Sequence, residues 1–108
     1  MATGLLGQAA LAASTNTTVY TVPSNTFTVF SVAVLNRGTS SVTVRIALSA
    51  LGTPNADGRE WIEYDVTLDP NGVLERTGLM LNATKNVVCY TTGSSVSVSV
   101  YGIETSTT

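Results

Sequence analysis

The sequence predicts a single-domain, all-β sandwich, jelly-roll-like, of about seven or eight antiparallel strands. Apolar and polar residues alternate strictly over several short runs, and clusters of Gly, Pro, Asn and Asp separate those runs. No segment sustains a helical period. Alternation sends every second side chain to the same face of a pleated strand, so each run reads as a strand with one buried face.

Residues 1–14 are small, apolar and interrupted by Gly4 and Gly7. They read as an N-terminal arm, with a short helix over 5–13 or a weak strand near 9–13 as alternatives. The sandwich domain is expected over 15–104, and residues 105–108 form a polar tail. Residues 17–22 and 27–36 are rich in β-branched and aromatic types. The second of these runs carries apolar residues on both faces, the pattern of a strand covered on both sides.

In the next strand, residues 42–49, Val42, Val44, Ile46 and Leu48 point inward against Thr43, Arg45, Ala47 and Ser49. Over 61–68, Ile62, Tyr64, Val66 and Leu68 are expected inward, with Trp61, Glu63, Asp65 and Thr67 outward. Over 73–81 the apolar phase slips between Leu74 and Leu79, which predicts a bulge near Gly78. Residues 86–91 form a further strand, and 96–101 set Val96, Val98 and Val100 against Ser97, Ser99 and Tyr101. Of the connections, Asp69-Pro70-Asn71-Gly72 is the clearest turn, because Pro presets one dihedral and Asn-Gly tolerates positive φ.

The composition narrows function. Charged residues make up 11% of the chain and hydrophobic ones 44%, so 18 Thr and 11 Ser must finish much of the surface. A sparsely charged surface suggests that part of it is hidden against other chains. A net charge of −2, with one lysine among five basic residues, offers no basic stripe for phosphates, so nucleic acid is not an expected partner. No run of apolar residues is long enough to span a membrane as a helix, and the opening residues lack the basic start of a signal peptide. The expected place of assembly is a cytosol.

Chemistry-bearing candidates are few. The chain has no His, which removes the usual general base and imidazole ligand. Cys89 lies within Val87-Val88-Cys89-Tyr90 and reads as a small buried hydrophobe. Glu63 and Asp65 could act as a carboxylate pair beside Trp61, but pairing across the sheet with Arg45 or Arg76 explains them better. Asn55, Asp57 and Glu60 could be imagined as a calcium loop, at a spacing that matches no known one. No glycine pattern supports nucleotide binding. No catalytic residue, metal or cofactor is therefore expected. What remains is contact surface: Trp61 beside Arg59 belongs to the residue types of interface hot spots, with packing under its own 52–58 loop as the alternative. Leu5, Leu6, Arg37, Arg59, Trp61 and Tyr101 are the candidate subunit-interface residues, and a neighbouring subunit is expected to hold one or both chain ends.

Five stretches carry a resemblance: Thr18-Val19-Tyr20-Thr21-Val22-Pro23, Val34-Leu35-Asn36-Arg37-Gly38, Ile62-Glu63-Tyr64-Asp65, Gly72-Val73-Leu74-Glu75-Arg76-Thr77-Gly78 and Val98-Ser99-Val100-Tyr101-Gly102. In this order, over nearly the whole chain, they resemble small structural proteins of tailed-bacteriophage virions. The resemblance implies a compact β-sandwich acting as a capsid decoration or cement protein, or as a tail, baseplate or fibre-associated part. It implies the major capsid protein (or tail proteins) as partner, a homo-oligomer such as a trimer, a place on the virion and no catalytic residues. A different class is a carbohydrate-binding module of a phage adhesin, in which Trp61 and one or more of Tyr64, Tyr90 and Tyr101 stack on sugar rings. That reading needs aromatics gathered on one open face, whereas Tyr64 is expected inward.

Overall fold

A computed structural model describes residues 2–51, 53, 54 and 58–107. Eight strands follow in order: β1 (Thr3–Leu11), β2 (Thr17–Thr21), β3 (Thr26–Asn36), β4 (Val42–Ser49), β5 (Trp61–Leu68), β6 (Val73–Leu81), β7 (Asn86–Thr91) and β8 (Val96–Ser106). They form two four-stranded antiparallel sheets, ordered β1-β8-β3-β6 and β2-β7-β4-β5. Every connection except β4–β5 passes from one sheet to the other. This is the strand order of a jelly roll, which wraps one chain into two facing sheets.

The inner faces meet through the alternating residues. Phe30, Val32 and Val34 of β3, Val96, Val98 and Val100 of β8, Val44 and Ile46 of β4, and Val87 and Cys89 of β7 are all buried in one core. Each such side chain contributes roughly 1.5–3 kcal/mol by leaving water. Asn36 ties the ends of several elements together. Its Nδ2 donates to Ser40 O at 2.9 Å and to Leu68 O at 3.1 Å, and its Oδ1 accepts from Gly38 N at 2.9 Å.

The bulge expected near Gly78 is present. Phe30 pairs with Leu79 and Val32 with Arg76, so Thr77 and Gly78 together face Ser31. Gly78 has φ +72°, a conformation that costs glycine little.

At the beginning of the chain the strand alternative holds, over a longer stretch and starting earlier than expected: residues 3–11 are neither a loose arm nor a helix but β1, an integral strand paired along β8. The tail is also shorter than expected, because β8 runs on to Ser106. The free edge of β8 supplies main-chain partners, which hold a segment whose side chains would not hold it alone. Gly7 lets β1 come close to β2: a Cβ there would stand 2.4 Å from Val19 O. Near both ends of the described residues the chain bonds to itself, with Ala2 N donating to Glu104 Oε1 at 2.9 Å and Thr107 N to Asn25 O at 2.9 Å.

Candidate functional site

The two outer sheet faces differ in chemistry. On the face of β2-β7-β4-β5, Arg45 stands among aromatic rings. Its guanidinium carbon lies 4.1 Å from the Tyr64 ring centre, 4.7 Å from that of Tyr90 and 5.8 Å from that of Trp61. Trp61 and Tyr64 meet edge-on, with centroids 5.6 Å apart and planes at 72°. Arg45 forks onto Asp65, Nε to Oδ1 at 2.6 Å and Nη2 to Oδ2 at 3.2 Å, and this bond pushes the guanidinium pKa further up.

Tyr64 belongs to this cluster because β5 is bulged. Val44 pairs with Val66 and Ile46 with Glu63, so Tyr64 and Asp65 together oppose Arg45. Asp65 has φ +53°; Ser14, Asn25, Asn71 and Thr84, the other non-glycine residues with positive φ among the described residues, all lie in connections between strands. A bulge re-aims the side chains beside it, and Tyr64, expected inward, is turned out to 57% exposure. The uninterrupted series Ile62, Tyr64, Val66, Leu68 hides this shift. The one local hint is Asp, which tolerates the left-handed region better than most residues.

The conformation of Asp65 costs on the order of 1 kcal/mol or more. An exposed ion pair returns ~0.2–1 kcal/mol, and an exposed cation–π contact a comparable amount. The cluster is therefore close to neutral for stability.

The outer face of β1-β8-β3-β6 is nearly uncharged. These strands carry only Glu75, Arg76 and Glu104 as charged residues. Arg76 reaches to the other sheet, where its Nη1 meets Glu63 Oε2 at 2.8 Å. Glu104 accepts from the core residue Tyr20 at 2.5 Å. That leaves Glu75, which accepts from the Tyr101 hydroxyl at 2.6 Å and thereby raises the tyrosine's pKa. On the same face, Ile103, Val29 and Met80 form one cross-strand row, 54%, 42% and 61% exposed. The sequence pattern of β3 predicted cover on both sides. The inner side is covered by the core; on the outer side Phe27, Ser31, Ala33 and Leu35 are half-buried and Val29 is exposed.

The candidate interface residues do not form one patch. Leu5, exposed, pairs with half-buried Tyr101 on the outer face of the first sheet. Leu6 is the extra residue of a β1 bulge and is half-buried against the core. Arg37 is exposed at the start of the β3–β4 connection, its backbone N donating to Ser95 O at 2.7 Å. Arg59 is exposed just before β5, and Trp61, half-buried, belongs to the Arg45 cluster on the other sheet.

Glu63 and Asp65 pair with Arg76 and Arg45, as expected, and not with each other. Of the calcium candidates, Asn55 and Asp57 lie outside the described residues, and Glu60 Oε2 accepts from Ala50 N at 3.0 Å. Among the described residues, no three His, Cys, Asp or Glu side chains gather where a metal could be held. Cys89 is buried and free, and burial pushes its thiol up to about 12. Two surface depressions, one along Gln8–Ala10 and Ser97–Ser99 and one lined by Asn36, Ser40, Gly93 and Ser95 among others, carry no ionisable side chain. No protein-family model, curated protein or solved structure matches this chain.

Proposed function

We propose that this protein is a bacteriophage capsid decoration protein that binds the assembled capsid lattice through the outer face of β1-β8-β3-β6 and stabilises the head. The carrying observation is the exposed apolar row Ile103–Val29–Met80, which crosses the middle of this sheet. A central strand with apolar residues on both faces is the pattern of a strand covered on both, and this row is where the outer cover of β3 is incomplete. Depletion of charge is the compositional mark of an interface centre, and Glu75 is the one carboxylate on this face. The jelly-roll order, found among viral capsid domains, supports the reading. So does the resemblance of the sequence to tailed-phage virion proteins.

A protein that binds only the assembled lattice shifts the balance toward the assembled state. On this reading it acts as an oligomer where capsid subunits meet, has no catalytic role, and joins particles in the bacterial cytoplasm. The test is to heat purified particles with and without the protein. A higher disruption temperature in its presence is expected, lost when Val29→Glu and Met80→Glu are combined. Equal disruption temperatures remove the role.

A further inference from the structure

We propose that the Trp61–Tyr64–Arg45–Asp65 cluster on the outer face of β2-β7-β4-β5 is a binding site for a neutral glycan. The site is independent of the capsid reading, because it lies on the opposite sheet from the face assigned to the lattice. Three observations carry it.

The first is the pair of rings. Trp61 and Tyr64 stand at 72° to one another, so they form a corner rather than a flat stack. Tyr64 stays 57% exposed although Arg45 covers one of its faces. A sugar ring presents an apolar face of C–H groups, and an exposed aromatic ring is the kind of surface it stacks on.

The second is the polar pair beside the rings. Arg45 offers donors and Asp65 acceptors, with their side chains 25% and 43% exposed. Neighbouring hydroxyls of a sugar both donate and accept, so a partly open guanidinium–carboxylate pair suits them. Because the two charges cancel, the site favours a neutral sugar over a sialylated or phosphorylated one.

The third is the backbone. The bulge at Tyr64 and Asp65 brings ring and carboxylate to the outer face together, and it holds Asp65 in a conformation that connections, not strands, usually host. Strain of this kind collects at ligand sites. Nothing in the cluster's own stability calls for it.

The single tryptophan makes the test direct, since Trp61 is the only one in the chain. Purified protein is titrated with pentasaccharides of β-1,4-glucan, α-1,4-glucan and β-1,4-galactan, and with sialyllactose, up to about 10 mM, within the range of weak sugar affinities. The expected result is a saturable change in Trp61 emission with at least one neutral glycan. Affinity should fall at least about tenfold in Tyr64→Ala. It should be unchanged in Val73→Ser on the other sheet. Tyr64 is exposed, so its truncation should leave the fold intact, and circular dichroism checks this. Emission unmoved by every neutral glycan, a response to sialyllactose alone, or binding that survives Tyr64→Ala would overturn the proposal.

Discussion

Tyr20 on β2 donates its hydroxyl proton to Glu104 on β8 at 2.5 Å, joining the two sheets, while Thr28 on β3 supplies a second bond to the same oxygen at 2.9 Å. Tyr20 has one proton to give, so Thr28 must be the donor of the second bond. This arrangement depends on Tyr20 being neutral and Glu104 ionised, which makes stability depend on pH at both ends of the scale.

At the acid end, the Tyr20 hydroxyl, and after it the Ala2 amide, hold the Glu104 pKa below its ordinary value. A depressed pKa adds stability above the unfolded carboxylate pKa and loses it as pH falls through the folded one. Denaturation midpoints should therefore drop as the pH is taken below the usual carboxylate range, and Glu104→Gln should flatten this part of the profile. At the alkaline end, burial, and then Glu104, push Tyr20 up to about 12 from its ordinary 10.0. A raised pKa means stability that is complete below the unfolded value and is lost as pH climbs toward about 12. Tyr20→Phe should remove that alkaline loss while lowering stability near neutrality by about 1–2 kcal/mol.

Asn36 is buried with its side chain bonded to Gly38, Ser40 and Leu68. Replacing it with Ala would leave the buried Leu68 carbonyl at the end of β5, and the Gly38 amide and Ser40 carbonyl in the β3–β4 connection, without these bonds. The expected loss is about 2–4 kcal/mol by urea denaturation. A change under about 0.5 kcal/mol, typical of exposed positions, would show that this node is not needed.

Gly7 separates an integral β1 from a loose arm. With Val19 O only 2.4 Å from the position of an added Cβ, Gly7→Ala must push β1 away from β2. Overpacking of this kind costs about 1–3 kcal/mol, to be read from the thermal midpoint. In a detached arm the same substitution would be neutral.

Cys89 should be inert in the folded protein, because it is buried in the core and its thiol is pushed up to about 12. Labelling by a thiol reagent should proceed at the rate of global unfolding and become immediate in denaturant. Fast labelling under native conditions would mean that β7 opens locally.

Strands β4, β5 and most of β8 could be read directly, because alternation along a half-buried strand is written in adjacent residues. Strands β2 and β3 showed through their β-branched and aromatic content, and β6 and β7 more weakly. The bulge at Gly78 was legible for the same reason: the slip from Leu74 to Leu79 breaks the alternation in plain view. The pairing of Glu63 with Arg76 and of Asp65 with Arg45 was legible as charge balance, though not as geometry. The outer side of β3 was half legible: its apolar residues showed, the exposure of Val29 did not.

Local pattern thus accounts for the all-β class, the turns and the identity of the core. The seating of β1 and the outward turn of Tyr64 come from partners far along the chain. β1 holds its place through main-chain hydrogen bonds to β8, and such bonds leave little trace in side-chain type. Tyr64 changes face because Asp65 adopts a left-handed backbone opposite Arg45, which lies 20 residues away in sequence. A bulge depends on the register between two strands, and register exists only once both are in place.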